Sequence, residues 1–419
     1  MNRMRIGPVV QQTDGTRIRV SALISTPDDS TEIWFRAPEG FLPGQSGDPF
    51  LAACLIPCMK LGLPLHIQAP VSRQLLDSVQ TIQEIFHKWY PELAIVPVEA
   101  QDMENTASQK SGLSAVFFSG GLDSFYTTLK HLAHIDQLIF VQGFDVDLEN
   151  ETLRAKIIRQ IRASAEALGK PLIEVETNLR KLGDRHVSWD LHLFGPALAS
   201  VGLLLGNSIG RIYIPSPESY AHLDPCASHP LVDPLWSTEK SDFIHDGAEA
   251  TRNEKAAFIA HSETAMQTLR VCWETPGNAY NCGQCEKCLR TMVNLESANA
   301  LEHCATFERK LEPAAVANMS IGSDLVLFHV EENLRALEAS ARNPAVVEAL
   351  RVAIAKYKAN HLNTLFTNMR ESTVASDIFR QFILNRKERI FKTLWQSHRD
   401  WMTKEVLKEN IKRLLGRSS

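Results

Sequence analysis

The stretch from residue 114 to residue 134 constrains the fold of this chain more than any other. An apolar run, Ser114–Phe118, is followed by the small-residue turn Ser119-Gly120-Gly121, and apolar residues then recur at helical spacing from Leu122. A buried strand that passes through a glycine turn into a helix starts a parallel βα unit. The glycines let the backbone approach a ligand closely, and the amides at the helix start attract an anion. The pattern therefore predicts a phosphate-binding loop at the end of a buried strand.

Strands and helices continue to alternate through the middle of the chain. The next predicted elements, in chain order, are Gln137–Gly143, Glu151–Leu168, Pro171–Glu176, Trp189–Leu205 and Ser208–Pro215. Such alternation is typical of an α/β fold in which helices cover both faces of a central parallel sheet. Right-handed crossovers between the strands follow from that arrangement.

The flanking regions complete the predicted domain plan. Residues 1–105 predict an N-terminal α+β accessory domain, residues 110–300 the domain with the parallel sheet, and residues 301–419 a helical, basic C-terminal region. The predicted N-terminal elements are Arg17–Ser25, Thr31–Ala37, Pro49–Leu61, Arg73–Trp89 and Leu93–Val98. The polar stretch after them predicts a linker.

The end of the chain is basic. Asp377–Ser419 contains eleven Lys or Arg residues and five Asp or Glu residues, which gives a net charge of +6. A packed helix with a solvated basic face is the favoured interpretation of this segment. Contact with nucleic acid, a membrane or an acidic partner is the alternative.

Charge and composition exclude several classes of protein. The 419 residues include 44 basic and 49 acidic side chains, and a net charge of −5 does not predict a polyanion partner for the whole chain. Ordinary apolar and glycine contents exclude global disorder, collagen and a coiled-coil rod. The N-terminus lacks the apolar core of a secretory signal, and the longest apolar run, near Pro196–Leu205, is too short for a membrane helix. We therefore expect a cytoplasmic protein that has no contact with a membrane.

The side chains of the loop predict phosphate binding with a metal ion. The hydroxyls of Ser119 and Ser124 add donors, whereas the carboxylate of Asp123 repels a phosphate unless Mg²⁺ lies between them. The Gly-Lys-Ser/Thr ending of the common phosphate loop is missing. The alternative is a Ser/Gly turn that only caps a helix.

Four of the eight cysteines are clustered in the sequence. They are Cys272, Cys282, Cys285 and Cys288, with nine, two and two residues between them. Such a cluster in a long chain with few cysteines indicates metal binding or redox chemistry in a reducing compartment. Four thiolates fill the tetrahedral shell of a structural Zn²⁺. A redox Cys-x-x-Cys pair would leave two cysteines unexplained, and an iron–sulfur cluster is the other alternative.

The form Ser-Gly-Gly-x-Asp-Ser at Ser119–Ser124 resembles the pyrophosphate loop of the N-type ATP pyrophosphatases. These enzymes cleave ATP between its α and β phosphates and adenylate a substrate oxygen. The resemblance implies an adenine nucleotide alpha-hydrolase-like fold that binds ATP and Mg²⁺. It implies nucleotide contacts from the loop and from the end of the second strand, at Ser119, Gly120, Gly121, Leu122, Asp123, Ser124, Val141, Gly143 and Asp145. A turn cap is the alternative role for Asp145.

The loop and the cysteine cluster together resemble the 7-cyano-7-deazaguanine synthase (QueC) family over Ser114–Val293. Members convert 7-carboxy-7-deazaguanine to an amide and then a nitrile, using ATP and ammonia, and their cysteines hold a structural zinc. The resemblance therefore implies an AMP-forming C–N ligase with zinc at the four cysteines. Family members are typically little more than the central domain, whereas this chain adds a region on each side.

The extended chain resembles the QueC-like component of bacterial Qat anti-phage defence systems. That resemblance implies a partner protein that receives the deazaguanine in place of ammonia. It is carried by the length of the chain and by Ser216–Lys255, which differs from the compact synthases.

This middle segment contains a polar constellation, formed by His229, Asp233, His245, Arg252 and Lys255. Arg252 and Lys255 are candidates to hold a carboxylate or to neutralise the leaving pyrophosphate. His245 is a candidate general base for the incoming amine. With Asp123 and Ser124 of the loop, these three form the predicted catalytic set. The alternative is an exposed helix start in which Glu249 and Arg252 form an ion pair.

Two further functions stay open from the sequence alone. A sulfur-transferring enzyme of the same superfamily would act on tRNA, and Cys226 is then a candidate nucleophile, although a small packing residue is the favoured interpretation of this cysteine. A catalytically silent nucleotide sensor or scaffold in a defence complex would use the same loop without chemistry.

Overall fold

The computed structural model describes residues 2–41, 45–102 and 110–371, with the side chains of 101–102 and 361–371 left out. The basic segment Asp377–Ser419 lies outside the described residues. Eleven strands within them form one sheet. The strands are β1 (Met4–Ile6), β2 (Val10–Asp14), β3 (Arg17–Ser25), β4 (Ser30–Pro38), β5 (Leu65–Val71), β6 (Val98–Asp102), β7 (Ser114–Phe117), β8 (Gln137–Gln142), β9 (Leu172–Thr177), β10 (Arg211–Pro215) and β11 (Asp242–Asp246).

The same described residues also form helices, which alternate with the strands along much of the chain. They are α1 (Asp48–Leu61), α2 (Arg73–Trp89), α3 (Leu122–Lys130), α4 (Glu151–Ala167), α5 (Arg180–Gly183), α6 (Phe194–Leu204), α7 (Arg252–Ile259), α8 (Glu263–Thr268), α9 (Glu286–Ser297), α10 (Pro313–Ala317), α11 (Asp324–Ser340) and α12 (Pro344–Glu371). A short π-helical turn, Trp189–Leu193, leads into α6. This combination confirms the predicted α/β class.

The described residues form two compact units. The first comprises those up to Gly283 together with Ala298–Arg309, and it contains the whole sheet with α1 to α8. The second comprises Gln284–Ser297 and the described residues from Lys310 to Glu371, and it contains α9 to α12.

The sheet has a parallel half whose strand order creates a crevice. Its strands run in the order β11-β10-β7-β8-β9, and each neighbouring pair is parallel. Within this half of the sheet, the chain enters at the central strand β7 and continues outward through β8 and β9. It then crosses back to the other side of β7, where it forms β10 and β11. Such a reversal leaves an opening between β7 and β10 at the carboxyl ends of the strands, where ligands of open α/β sheets bind.

Helices pack on the two faces of the sheet. On one side α3 contacts α7 and α4 contacts α8, while α6 contacts α1. Helices α3 and α4 connect β7 to β8 and β8 to β9, whereas α6 belongs to the connection from β9 back to β10. Because such connections are right-handed, α3 and α4 lie on one face of the sheet and α6 lies on the other. Every residue of α1 from Asp48 to Met59 is buried, as expected of a helix that is covered all round.

The first hundred residues extend this same sheet. Strand β4 pairs antiparallel with β9, with Phe35 opposite Thr177, and the Trp34 carbonyl accepts a hydrogen bond from Thr177 Oγ1. The side chain of Asn178, just after β9, makes two further hydrogen bonds to the β4 backbone: it accepts from the Trp34 amide and donates to the Glu32 carbonyl. The prediction of an N-terminal α+β domain over residues 1–105 did not include this pairing, in which β4 makes backbone hydrogen bonds to β9.

The second unit is helical, as its sequence predicts. Its core contains Val293 of α9, Leu334 and Leu337 of α11, and Leu350 and Ile354 of α12, all buried. A hydrogen bond between the side chains of Asn294 and Asn333 lies within this core. Apolar residues of α11 and α12 therefore pack against one another.

Candidate functional site

The loop after β7 has the backbone geometry of an open anion site. Gly120 adopts a φ of +74°, and a Cβ atom there would lie 3.0 Å from Ile161 Cδ1. Gly121 is the N-cap of α3, and no side chain caps this helix. The hydroxyl of Ser124 donates to the Gly121 carbonyl and lies 3.4 Å from that of Ser119. The first turn of α3 therefore presents amides and hydroxyls beyond the end of β7.

The position of the loop in the sheet matches a ligand site. The loop follows β7, which lies between β8 and β10. The strand order reverses between β7 and β10. The segments after β10 and β11 leave the sheet at the same edge, because all three strands are parallel. Side chains that follow these strands therefore converge on the crevice beside the loop.

Asp123 is held by two cations from α7. Arg252 Nη1 lies 2.9 Å from Asp123 Oδ2, and Lys255 Nζ lies 3.4 Å from Asp123 Oδ1. The Lys255 side chain is fully buried and also donates to the Ser216 carbonyl after β10. The start of α7 is fixed by a capping box between Thr251 and Glu254. The structure thus brings Asp123, Arg252 and Lys255 of the predicted catalytic set into direct contact.

The charged side chains of this cluster largely offset one another. The pKa of Lys255 is lowered, mainly by desolvation and also by Arg252, whereas the carboxylates of Asp123 and Glu218 act to raise it. Two cations therefore lie close to two carboxylates, next to the positive end of α3. A phosphate group that enters the crevice meets the amides at the start of α3 and these two cations.

The alternative ion pair between Glu249 and Arg252 is wrong. Glu249 binds Lys130 and the hydroxyl of Tyr126, and these two partners, together with its own backbone amide, lower its pKa to about 2 in spite of desolvation. Arg252 is buried against Asp123 instead. The residues before α7 therefore form a structured part of the crevice and not an exposed helix start.

His245 at the end of β11 is oriented by a buried carboxylate. Its Nδ1 lies 2.7 Å from Asp233 Oδ2, and the two side chains are 3% and 0% exposed. The same Asp233 oxygen accepts a hydrogen bond from Ser228 Oγ at 2.7 Å. Because a carboxylate only accepts hydrogen bonds, His245 points the hydrogen on Nδ1 at Asp233, and Nε2 is the ring nitrogen that this contact leaves over. That Nε2 atom is buried and has no hydrogen-bond partner among the described residues.

His229 lies next to this pair. Its Nδ1 accepts a hydrogen bond from the Leu231 amide, and its ring packs edge-on against Trp89. Desolvation, and then the nearby His245, lower its pKa, whereas Asp233 raises it. The predicted constellation therefore divides into two groups, one around Asp123 and one around Asp233.

A small, partly open pocket lies at the carboxyl end of β8. Three of the predicted nucleotide contacts, Val141, Gly143 and Asp145, line it together. Its wall also contains Arg270, which the sequence analysis missed because this residue belongs to no motif. The Arg270 amide donates to the Gly120 carbonyl at 2.8 Å, which fixes the pocket wall to the loop.

The four clustered cysteines form a candidate metal centre. Their sulfur atoms all lie within 4.8 Å of one another, and all four residues are buried. Four sulfurs at about 2.3 Å from a tetrahedral Zn²⁺ would be about 3.8 Å apart, so the arrangement fits this ion. Gly283 adopts the left-handed conformation, with a φ of +65°, that the turn between two of the ligands requires. The donor set thus supports metal binding at these residues.

Cys226 has the environment of a packing residue. Its thiol donates to the Ser228 carbonyl at 3.0 Å. Burial, followed by the nearby carboxylates of Glu218 and Asp233, raises its pKa to about 12. A thiol with this pKa is protonated at neutral pH, so it is a poor nucleophile.

Comparisons with protein-family models, with curated proteins and with solved structures found no match for this chain. Among residues 2–41, 45–102 and 110–371, no helix combines the length and the apolar character that crossing a membrane requires. The structure itself shows an α/β sheet with a glycine loop at its crevice, and a four-cysteine cluster suited to a metal such as zinc.

Proposed function

We propose that this protein is an AMP-forming C–N ligase. It would adenylate a carboxylate, that of a 7-deazaguanine such as 7-carboxy-7-deazaguanine, and transfer the acyl group to ammonia or to an amine of a partner protein. The observation that carries the proposal is the Ser119–Ser124 loop at the reversal of strand order, with Asp123, Arg252 and Lys255 beside it. The resemblance of the loop and the cysteine spacing to the 7-cyano-7-deazaguanine synthases supplies the substrate class.

Binding of the nucleotide follows from the charges at the crevice. The pyrophosphate part of ATP would lie against the amides of α3 and the hydroxyls of Ser119 and Ser124. Arg252 and Lys255 supply the positive charge that the leaving pyrophosphate needs. The adenosine part would extend toward the pocket lined by Val141 and Gly143. Mg²⁺ would neutralise the phosphates next to Asp123.

The reaction has two displacements. A substrate carboxylate oxygen attacks the α phosphorus, the bond to the β-phosphate oxygen breaks, and pyrophosphate leaves. The amine then attacks the acyl carbon, and AMP leaves with the electrons of the acyl–oxygen bond. The amine must lose a proton in this step, and His245 Nε2, held by Asp233, is the buried lone pair available to take it.

The remaining groups would serve structure and partners. Zn²⁺ at the four cysteines would stabilise the fold around α9, since a closed tetrahedral site leaves no position for substrate. The proposed setting is the bacterial cytoplasm, in an antiviral defence complex whose partner protein supplies the amine. Nucleic acid is a less favoured partner, because the whole chain is acidic.

The test is ATP turnover with Mg²⁺ and 7-carboxy-7-deazaguanine, alone and with candidate partner proteins, with products resolved by mass. Asp123→Ala and Asp123→Asn should each lower AMP and pyrophosphate release by at least about 100-fold. Asp184→Ala removes an exposed carboxylate that pairs with Arg180, and it should leave turnover unchanged. Equal turnover in the Asp123 variants and the wild type would refute the site.

A nucleotide sensor is the second candidate, and one observation favours it. Both oxygens of Asp123 face cations, and these cations compete with Mg²⁺ for the carboxylate. A sensor would bind ATP without forming AMP under any condition of the same assay. Binding of ATP that persists in Asp123→Asn together with absent turnover in the wild type would establish this candidate.

A further inference from the structure

We propose that Arg270 is an oxyanion-binding residue, and that its side chain holds a carboxylate or phosphate group of the ligand in the pocket beside the loop. The proposal deepens the proposed function and rests on it for the identity of the ligand. It assigns a specific contact to a residue that lies outside the glycine loop and outside the cysteine cluster.

The Arg270 guanidinium is buried with one edge unused. Its side chain is 4% exposed. Nε and Nη2 are both buried and have no hydrogen-bond partner among the described residues. Nη1 faces Asp145 Oδ2 at 3.7 Å, a distance too long for a hydrogen bond. These two unpartnered nitrogens form the side edge of the guanidinium, which matches two oxygens of one anion.

An unused edge of this kind is costly for the folded protein. Arginine keeps its charge in proteins, so it cannot escape burial by losing a proton. A buried charge without hydrogen-bond partners destabilises the fold. The arrangement is therefore explained by a ligand that completes it.

Arg270 differs in this respect from the other arginine of the pocket. Arg154 donates from all three of its nitrogens, to the Gln142 side chain, the Leu148 carbonyl and Glu176. Its guanidinium is thus committed to the protein. The apolar side chains of Phe140, Val141 and Ile157 also line the pocket. Arg270 is the lining arginine with an edge left for a ligand.

The location of Arg270 connects this contact to the reaction. Its backbone amide is bonded to the Gly120 carbonyl, so the side chain starts next to the loop and extends along the pocket wall. A ligand with phosphates at Ser119–Ser124 and a base near Val141 passes this guanidinium. Two groups of such a complex have paired oxygens: the carboxylate of the acid substrate and the α phosphate of the nucleotide.

The experiment measures binding to the full chain by calorimetry for the wild type, Arg270→Gln and Arg270→Lys. The probes are AMP against adenosine, and 7-carboxy-7-deazaguanine against 7-cyano-7-deazaguanine, so that each pair differs in the oxyanion. Arg162→Gln is the matched control, because Arg162 on α4 is 60% exposed and binds Glu174. Melting curves without ligand check that each variant folds.

We expect Arg270→Gln to weaken the binding of one anionic probe by about 10- to 100-fold and to leave the affinity for its neutral counterpart unchanged. A lower affinity for AMP would show that Arg270 contacts the nucleotide phosphate. A lower affinity for 7-carboxy-7-deazaguanine would show that it contacts the carboxylate of the acid substrate. Arg270→Lys should recover part of the loss, since it keeps the charge without the two-nitrogen edge. Without ligand, Arg270→Gln should melt at a higher temperature than the wild type.

The outcomes separate this inference from the proposed function. Equal affinities of the wild type and Arg270→Gln for all four probes would overturn the role of Arg270 while AMP formation still supported the ligase. A selective loss in Arg270→Gln without any AMP formation would keep the oxyanion contact and overturn the ligase. A wild type that binds neither anionic probe would overturn both.

Discussion

At the scale of single residues, Asp233 determines which nitrogen of His245 is able to accept a proton. The carboxylate faces Nδ1 at 2.7 Å and thereby directs the lone pair to Nε2. An amide in its place would have both a donor and an acceptor, and it would no longer select this tautomer.

Asp233→Asn is therefore expected to slow transfer to the amine by about 100-fold or more. Adenylation should be unaffected, since it requires no proton from the amine. Isotope exchange between pyrophosphate and ATP reports adenylation, and AMP release in the presence of the amine reports the full reaction. Ser228→Ala removes one of the two hydrogen bonds to Asp233 and keeps the carboxylate, so it is the milder control. An equal decrease of both rates in Asp233→Asn would contradict this role.

At the scale of elements, the turn between β7 and α3 depends on a conformation that favours glycine. Gly120 has a φ of +74° in the loop, and Gly169 has a φ of +66° after α4. Alanine at either position should lower the free energy of unfolding by about 1–2 kcal/mol, because left-handed backbone is strained for residues with a Cβ.

Only the change at Gly120 should also weaken ATP binding. The added methyl group meets Ile161 Cδ1 at 3.0 Å, whereas nothing lies within 4 Å of the corresponding position at Gly169. Denaturant unfolding and nucleotide titration of Gly120→Ala and Gly169→Ala measure the two effects separately. Equal ATP affinities in the two variants would show that the loop does not contact the nucleotide.

Elements with strong local signals could be predicted from the sequence. The bounds of α2 were predicted as Arg73–Trp89, because its apolar residues recur on one helical face, and β3 was predicted as Arg17–Ser25. Strand β11 was missed. Its sequence begins and ends with Asp, and its strand geometry depends on pairing with β10. The last N-terminal strand was expected at Leu93–Val98 and begins instead at Val98, where it pairs with β5.

At the candidate site, too, features with a local sequence signal could be predicted, and contacts between distant residues could not. The loop and the four cysteines are close in sequence, and their spacing alone predicted them. The contacts of Asp123 with Arg252 and Lys255 span 129 and 132 residues, so sequence reasoning proposed these cations without their partner. Arg270 was missed altogether, because burial and an unused hydrogen-bonding edge leave no pattern in a sequence.

At the scale of the whole molecule, metal binding should determine how stable the chain is. We expect about one zinc ion per chain by elemental analysis, held by Cys272, Cys282, Cys285 and Cys288. Removal of zinc by a chelator should lower the melting temperature by at least about 5 °C, because the binding free energy of a structural zinc contributes to folding.

Serine variants test which cysteines hold the ion. Cys285→Ser should lose the zinc, whereas Cys304→Ser should keep it, since Cys304 is buried but lies outside the four-sulfur cluster. A metal content that is unchanged in Cys285→Ser would refute the site. Iron with a visible absorption band in place of zinc would identify an iron–sulfur cluster.

The junction of β4 with β9 has a consequence for synthesis on the ribosome. Trp34 and Thr177, which meet there, are 143 residues apart in the sequence. Strand β4 therefore emerges long before its partner, and until then it is an unpaired edge that other chains are able to join. We expect slow folding, as long-range pairing generally causes, and a nascent chain that depends on chaperones until residue 177 has left the exit tunnel.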